Sequence, residues 1–447
     1  MQTDEAPLLS PAHNGAGLGL CIAAVFLSGE MAGSGVLALP HALSNTGWSG
    51  LLLLVMFAIN GAYIGFRLGT CWEMIAEHYE DFRTHELVRD PYPLIAERTG
   101  RVFGQGWGLA LRWVTTACIV LTLWGGACVF IILISNFLAN LVPLTAMGSC
   151  QWLLVVGGVM IPVTWLGSPK DFWPIAIGAL VTTSSACILI IAQIVMDSAD
   201  QDSLSNCTVI SRATSLAFIS GPEFDPPTFK GFMQAFGTIM FAFGGASTFP
   251  TIQADMRNKS HFKWAALIAL MVLGVIYTPT SAVGFFLLGN CVQDNIVDNL
   301  SAGPIKIVVQ SVLLVHLLTA FPIVMNPPNL FFENAIGIPK EFGWQRCVFR
   351  TLTLIVLVFV AGSIPSFGLI LDLVGASTVT LLTFVFPPLF YMILSKTSQR
   401  GRPCWVEIGY CFLLILIGLV GGTFSSIFAL QSIVQSVQSF GTPCYLQ

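Results

Sequence analysis

The chain has 447 residues, of which 55% are hydrophobic and 9% are charged, and its mean hydropathy is +0.80. Soluble globular proteins carry about 25% charged residues, so this composition excludes a soluble protein and indicates an integral membrane protein. The formal net charge of −4 says nothing about nucleic acid, but the 19 Lys and Arg residues form no basic stripe, so no nucleic-acid partner is expected.

About eleven apolar runs are long enough to cross a bilayer by the criterion of roughly 20 residues, which predicts an all-α membrane bundle. A short turn with Pro169 divides the fourth run from the fifth. The first run has no basic leader and no small-residue cleavage site, so we expect a retained span and not a signal peptide. The runs lie at 17–43, 50–76, 107–141, 152–167, 172–195, 229–251, 264–288, 305–331, 349–364, 367–394 and 407–434.

Two of these runs contain glycines followed by a proline. In the first run Gly35 precedes Pro40 by five residues, and in the sixth run Gly245 precedes Pro250 by the same distance. Irregular backbone inside a bilayer is tolerated where it lines a cavity or the protein interior, and paired breaks of this kind indicate the binding site of a transporter. The alternative is that these glycines only let helices pack closely.

The basic residues predict the orientation of the bundle. Most of the 19 Lys and Arg residues fall in loops on one side of the spans, which places the N-terminus in the cytosol and the C-terminus on the lumenal or extracellular side. Residues 1–16 are then a cytosolic tail, 17–434 the membrane domain and 435–447 an outer tail. Four basic residues within or beside spans are interpreted as snorkelling side chains: Arg67, Arg112, Lys230 and Lys306.

The predicted outer loops contain glycosylation sequons and cysteines, as expected for segments outside the cytosol. The glycosylation sequons at Asn206 and Asn299 lie in the two longest outer loops, which predicts a glycoprotein. Four of the 12 cysteines also lie outside, where disulfides form, and we prefer the pair Cys207 and Cys291. The eight cysteines on the inner side or within spans are expected to be packing residues. The other two outer cysteines are Cys150 and Cys444.

The N-terminal tail contains a candidate sorting signal. Asp4 precedes Leu8 and Leu9 by four residues, which resembles the acidic di-leucine signals that sorting adaptors read. This pattern favours a lysosomal or endosomal membrane over the plasma membrane.

Four groups of residues resemble the amino acid/auxin permease family, within the amino acid-polyamine-organocation superfamily, over nearly the whole chain. The resemblance implies a LeuT-type fold, in which five helices are repeated in inverted orientation and the first and sixth are broken. Repeat one would cover 17–195, repeat two 229–394, and an extra helix 407–434. The groups are Gly33 to Pro40 with Gly47 and Trp48, Tyr92 to Glu97, Phe241 to Gly245 with Pro250 and Ile252 to Met256, and Ile364 to Gly368 with Gly375 to Ser377.

The same resemblance implies a secondary active transporter that moves amino acids by alternating access, and no enzymatic activity. A half-helix that begins near Val36 would present free N–H groups to the substrate carboxylate. Carbonyls freed around Ala32 and Gly244 would accept from its ammonium group. The predicted substrate-binding residues are Gly33, Ser34, Gly35, Val36, Phe243, Gly244, Gly245 and Ser247, with Trp124 and Phe321 as apolar walls.

Ionisable residues within the spans are candidates for ion coupling, since charge is costly there. Glu30, one turn before the first break, is the first choice for a proton symporter, with His316 and Asp372 as further candidates. Sodium coupling through an oxygen cage that includes Thr319 stays open. No cofactor or metal is expected beyond the driving ion. The other open alternative is an amino acid sensor that binds substrate and transports little, and lipids are the remaining expected partners.

Overall fold

A computed structural model describes residues 17–79, 90–142, 147–165, 173–199, 224–339, 341–364, 366–398, 403–439 and 444. Every extended regular element in this part of the chain is a helix, as the apolar runs predict. The sorting residues Asp4, Leu8 and Leu9, the sequon at Asn206 and Cys207 lie outside the described residues, so predictions on them remain predictions.

The longer helices are named here in chain order. They are α1 (Leu20–Met31), α2 (Gly35–Thr46), α3 (Ser49–His78), α4 (Pro91–Gly100), α5 (Gln105–Leu141), α6 (Ser149–Trp165), α7 (Trp173–Ala199), α8 (Phe229–Ala242), α9 (Phe249–Asp255), α10 (Phe262–Leu288), α11 (Pro304–Ile336), α12 (Trp344–Ser363), α13 (Phe367–Val374), α14 (Phe386–Leu394) and α15 (Trp405–Ser439).

Among the described residues, eight helical segments are long and apolar enough to span a membrane. The pair α1 and α2, bent by 62°, adds a ninth span. The predicted number of about eleven membrane spans is reached only when two shorter elements are also counted as spans. These are α6, of 17 residues, and α8, of 14 residues, which is continued by α9 beyond a break.

The first and sixth spans are broken, and local chemistry explains their bounds. α2 ends at Gly47, whose φ of 60° lies in the left-handed region that favours glycine, and α3 begins two residues later. α8 begins after Thr228, whose side chain accepts a hydrogen bond from the Gly231 N–H and so caps the helix. Pro250 occupies the first turn of α9, where its missing N–H costs nothing.

The two broken spans lie at the centre of the bundle. α1 packs against α7 and α10, and α2 packs against α8 and α10, while α3, α9 and α10 form a neighbouring group. The tenth span runs from α13 through two π-helical segments, Gly375–Val379 and Leu381–Val385, into α14. π-helical turns are common at functional sites, and this one faces α8.

A disulfide joins Cys150, at the start of α6, to Cys444 in the C-terminal tail, with 5.0 Å between the Cα atoms. Both cysteines were expected on the outer side, but their pairing was not predicted. Cys291 is also disulfide-bonded. The eight cysteines expected to be packing residues are free, although Cys21 and Cys404 are exposed and therefore not packed.

Two of the basic residues interpreted as snorkelling side chains have carboxylate partners on other helices. Arg67 forms an ion pair with Glu407 of α15, and Arg112 of α5 donates to Glu97 of α4 at 2.8 Å. Burial alone would raise the pKa of the Glu97 carboxyl, but hydrogen bonds from Arg112 and Arg101 lower it below its ordinary value. Each carboxylate lies on a different helix from its arginine, so the spacing of charges along the sequence did not predict these pairs.

The two lysines interpreted as snorkelling residues have polar partners at the ends of spans. Lys230 donates to the Gln435 side chain at 3.4 Å, and Lys306 donates to the Leu300 carbonyl at 2.8 Å. Each amine therefore reaches an acceptor near the surface of the bundle, which agrees with the expectation for a basic residue at a membrane boundary.

Candidate functional site

The first break exposes the N-terminal end of α2. Within the described part of the chain, no hydrogen-bond acceptor serves the N–H groups of Ser34, Gly35 and Val36. The Ser34 hydroxyl is buried and likewise lacks a partner among the described residues. Three free N–H donors, a free hydroxyl and the positive end of the helix dipole together favour a bound carboxylate.

Two hydroxyl groups from other helices hold the carbonyls of this break. Tyr277 of α10 donates to the Met31 carbonyl at 2.8 Å, and Thr183 of α7 donates to the Ala32 carbonyl at 2.8 Å. The expectation that the Ala32 carbonyl is free for an ammonium group is therefore wrong. Sequence reasoning missed Tyr277 and Thr183, because a single hydroxyl in an apolar helix carries no local signal.

The second break joins α8 to α9 through two tight turns. The Gly244 N–H donates to the Phe241 carbonyl at 3.0 Å, and the Gly245 N–H donates to the Phe243 carbonyl at 2.9 Å. The Phe243 ring packs edge-on against Tyr277, with 5.4 Å between ring centroids. Tyr277 therefore contacts both breaks, through its hydroxyl and through its ring.

The four glycines of the breaks divide into one that faces open space and three that pack. A Cβ atom on Gly33 would meet nothing within 4 Å. A Cβ atom would lie 2.7 Å from Ala242 Cα on Gly35, and closer still to neighbouring side chains on Gly244 and Gly245. The missing side chains of Gly35, Gly244 and Gly245 therefore let neighbouring elements pack closely, and only the backbone groups of these residues are available to a ligand.

Glu30 lies beside the second break. It is on the last turn of α1, it is exposed, and its carboxyl group is close to the side chain of Thr248. The Thr248 hydroxyl donates its hydrogen to the Gly245 carbonyl at 3.0 Å. Glu30 and Gly33 are three residues apart in the chain, on either side of the end of α1 at Met31.

The other two ionisable candidates, Asp372 and His316, are buried away from Glu30 and the first break. Asp372 of α13 accepts a hydrogen bond from the Thr238 hydroxyl of α8, one turn before the second break. His316 is buried in α11. Asp372 is thus a buried carboxyl group with a hydrogen-bond partner on the neighbouring helix α8.

The sodium-site candidate Thr319 lies in α11. Its hydroxyl donates to the Val315 and His316 carbonyls of its own helix, and its side chain is exposed. Donating the hydrogen leaves the lone pairs of the hydroxyl oxygen available to a cation, so a sodium site that includes Thr319 stays a prediction.

The predicted apolar walls differ in their placement. Trp124 stacks on Phe332 of α11, with ring centroids 5.3 Å apart and planes at 11°, and within the described residues it has no hydrogen bond or ring contact to either break. Phe321 is fully buried in α11, while Ser247 is half-buried in the second break. Phe243 is the aromatic residue that the structure does bring to the site.

Each broken span is also held at one end of the bundle. Leu18 and Met256 form a short parallel bridge, in which the Leu18 N–H donates to the Asp255 carbonyl at 2.8 Å. On α2, His41 Nδ1 lies 3.0 Å from the Val292 carbonyl oxygen and Nε2 lies 3.5 Å from Asp294. Backbone pairing therefore ties α1 to α9, and a histidine ties α2 to the loop before α11.

Comparison with known proteins assigns the chain to a family. The family model described as "Transmembrane amino acid transporter protein" matches residues 17–431. The chain belongs to the transmembrane amino acid transporter family. Membership of this family makes it a transporter and not an enzyme, and it confirms the resemblance noted in the sequence.

Curated relatives of the transporter match it over most of their length. Amino acid transporter AVT3B of Arabidopsis thaliana is 26% identical over 436 residues, covering 95% of this chain and 96% of the relative. Amino acid transporter AVT3C of the same plant is 26% identical, covering 96% of this chain and 95% of the relative.

Solved structures confirm the LeuT-type fold. A manganese transporter of Eremococcus coleocola has a TM-score of 0.54 at 12% identity, covering 95% of this chain and 89% of that one. MhsT in complex with L-phenylalanine has a TM-score of 0.52 at 13% identity, covering 93% of this chain and 99% of that one. At these identities the likeness concerns the fold alone, and the transporter's substrate site must be argued from its own residues.

Proposed function

We propose that this transporter binds the α-carboxylate of an amino acid at the N–H groups of Ser34, Gly35 and Val36, and moves it by alternating access. The observation that carries the proposal is the combination of three free N–H donors with the buried, unpartnered Ser34 hydroxyl. The relatives named as amino acid transporters support the substrate class.

The ammonium group would lie toward the second break. The Gly244 carbonyl has no donor among the described residues, and Gly33 leaves open space beside it on the first span. The amino acid side chain would then point toward Phe243 and Ser247. Backbone groups bind the part that all amino acids share, which explains why the substrate side chain is not specified by the breaks.

Proton coupling through Glu30 is the proposed driving mechanism. The carboxyl group lies close to Thr248 of the second break, so loss or gain of a proton changes the charge between the first and sixth spans. A sodium-driven carrier, with Thr319 as a candidate ligand of the ion, is the second candidate.

The proposed topology has the N-terminus in the cytosol and the C-terminus in the lumen or outside. The disulfide between Cys150 and Cys444 supports it, because both cysteines then lie in an oxidising compartment. The di-leucine pattern of the tail supports a lysosomal or endosomal membrane. Alanine at Leu8 and Leu9 is expected to shift the protein to the cell surface, and glutamine at Asn206 and Asn299 to remove glycans.

The decisive experiment is uptake of a panel of radiolabelled amino acids into proteoliposomes, with pH and sodium gradients imposed separately. Gly33→Val is expected to abolish saturable uptake, because the added side chain fills the open space at the break. Gly274→Val is the matched control, since a Cβ on that α10 glycine also meets nothing within 4 Å. Binding without flux in the wild type would instead identify a sensor, and equal uptake by both variants would reject the site.

A further inference from the structure

A second cavity lies apart from the two breaks, among α3, α9 and the start of α10. Its volume is about 190 Å³. The wall includes Gln253 of α9 and Lys259, which flank Met256, the residue bridged to Leu18. The cavity therefore opens at the end of the bundle that the proposed topology places at the cytosolic membrane surface.

The wall of this cavity is positively charged. Arg67, Lys259 and Lys263 contribute to it, against one acidic residue, Glu73. Arg67 is neutralised by Glu407, but no described carboxylate forms an ion pair with either lysine. Asp255 acts on Lys259 only at longer range. Two lysines thus present positive charge that the described residues leave largely uncompensated.

Aromatic rings hold both lysine amines beside the cavity. Lys259 Nζ lies 5.1 Å from the centroid of the Trp72 ring, and Lys263 Nζ lies 5.3 Å from that of Phe66. Cation–π contacts of this kind place an ammonium group without neutralising its charge. The lysines are therefore positioned to bind an anion.

A buried acceptor in the same wall indicates what else the ligand carries. Gln253 is 1% exposed, and its Nε2 donates to the Gly69 and Lys259 carbonyls, each at 3.2 Å. Its Oε1 has no donor among the described residues. A buried oxygen without a donor is costly, so a ligand that supplies an O–H group would relieve it.

Exposed aromatic side chains lie at the cavity wall and next to it. Phe66 of the wall is 37% exposed, and Trp264, whose ring centroid lies 6.0 Å from Lys263 Nζ, is 52% exposed. Aromatic residues of this kind concentrate at the boundary between the bilayer and water. A ligand entering here is therefore within reach of lipid headgroups.

We propose that this cavity binds a phosphate-bearing anion that also carries hydroxyl groups, supplied by the headgroup of a phosphoinositol lipid. Lys259 and Lys263 would bind the phosphate, and Gln253 Oε1 would accept from a ring hydroxyl. Because the wall comes from α3, α9 and α10, the bound headgroup would tie the end of the sixth span to the second and seventh. The site is separate from the substrate site, so it does not depend on the proposed transport mechanism.

The test is a binding titration of the purified full chain in neutral detergent, followed by native mass spectrometry. The probes are dioctanoyl phosphatidylinositol 4-phosphate, dioctanoyl phosphatidylcholine and soluble inositol 1,4-bisphosphate. Lys263→Gln is expected to weaken binding of the phosphoinositol lipid about fivefold, the usual effect of one lysine near an anionic lipid. Lys263→Arg keeps the charge and should bind normally. Lys396→Gln removes an exposed lysine that does not line the cavity and is the matched control.

The outcomes separate the sources of the phosphate. Tight binding of the phosphoinositol lipid that Lys263→Gln weakens and Lys396→Gln leaves unchanged supports the proposal. Equal binding of the soluble bisphosphate, with the same dependence on Lys263, supports the phosphate site but assigns it to a soluble ligand. Equal binding of phosphatidylcholine, or equal losses in Lys263→Gln and Lys396→Gln, overturns the proposal.

Discussion

The hydroxyl group of Tyr277 donates a 2.8 Å hydrogen bond to the carbonyl of Met31, the last residue of α1. The ring of the same tyrosine packs against Phe243 of the second break. One side chain of the seventh span therefore links the irregular backbone of the first span to that of the sixth. Such a link fixes the relative position of the two halves of the candidate substrate site.

Removing this hydroxyl should loosen the link without emptying the space. Tyr277→Phe keeps the ring on Phe243 but leaves the buried Met31 carbonyl with one donor fewer, which costs about 1 kcal/mol. We expect a lower melting temperature in detergent and substrate affinity reduced several-fold in uptake assays. Tyr79→Phe is the control, because Tyr79 lies at the C-terminal end of α3, outside the substrate site. Equal behaviour of the two variants would contradict the assigned link.

The Ser34 hydroxyl should contribute to binding of the substrate carboxylate. A hydrogen bond to a charged group contributes about 1.5–3 kcal/mol, so Ser34→Ala is expected to weaken binding of an amino acid by about tenfold or more. Competition by the methyl ester of the same amino acid should change little, since the ester lacks the charge. Ser184→Ala is the matched control, because that hydroxyl donates within its own helix. A similar loss for acid and ester would argue against carboxylate binding here.

Glu30 is expected to couple transport to protons. Glu30→Gln keeps a side chain that can bond to Thr248 but cannot release a proton. We expect this variant to exchange labelled for unlabelled substrate across proteoliposomes while losing net uptake driven by an imposed pH gradient. Full pH-driven accumulation by Glu30→Gln would exclude Glu30 as the coupling residue, and uptake that follows sodium alone would exclude proton coupling altogether.

A buried ion pair away from the site should govern stability. Arg350 of α12 is 1% exposed, and its Nε lies 2.5 Å from Oε1 of Glu333 in α11. The same guanidinium group donates to the Thr164 carbonyl of α6. Glu333→Gln leaves a buried positive charge without its carboxylate, a change that costs about 3–5 kcal/mol. Thermal denaturation should show a large loss for Glu333→Gln and almost none for the exposed Glu341→Gln.

The break in the first span was predictable to within about one residue, because glycine and proline act through local backbone chemistry. The sequence predicted a half-helix from near Val36, and α2 begins at Gly35. Glu30 was found in the same way, since a carboxyl group within an apolar run stands out in any sequence. The contact of Glu30 with Thr248 needed the fold, because those residues are 218 positions apart.

The sequence by itself determined that this protein is a helical membrane transporter and where its first and sixth spans break. The lengths of the apolar runs, the positions of the charged residues and the spacing of the glycines are local properties, so the order of residues alone is enough to find them. Only the tertiary structure decided that Gly33 faces open space while Gly35, Gly244 and Gly245 pack, and that Tyr277 and Thr183 hold the carbonyls of the break. Whether a glycine leaves room for a ligand or for another helix depends on what lies opposite it, and that is set by the packing of distant spans.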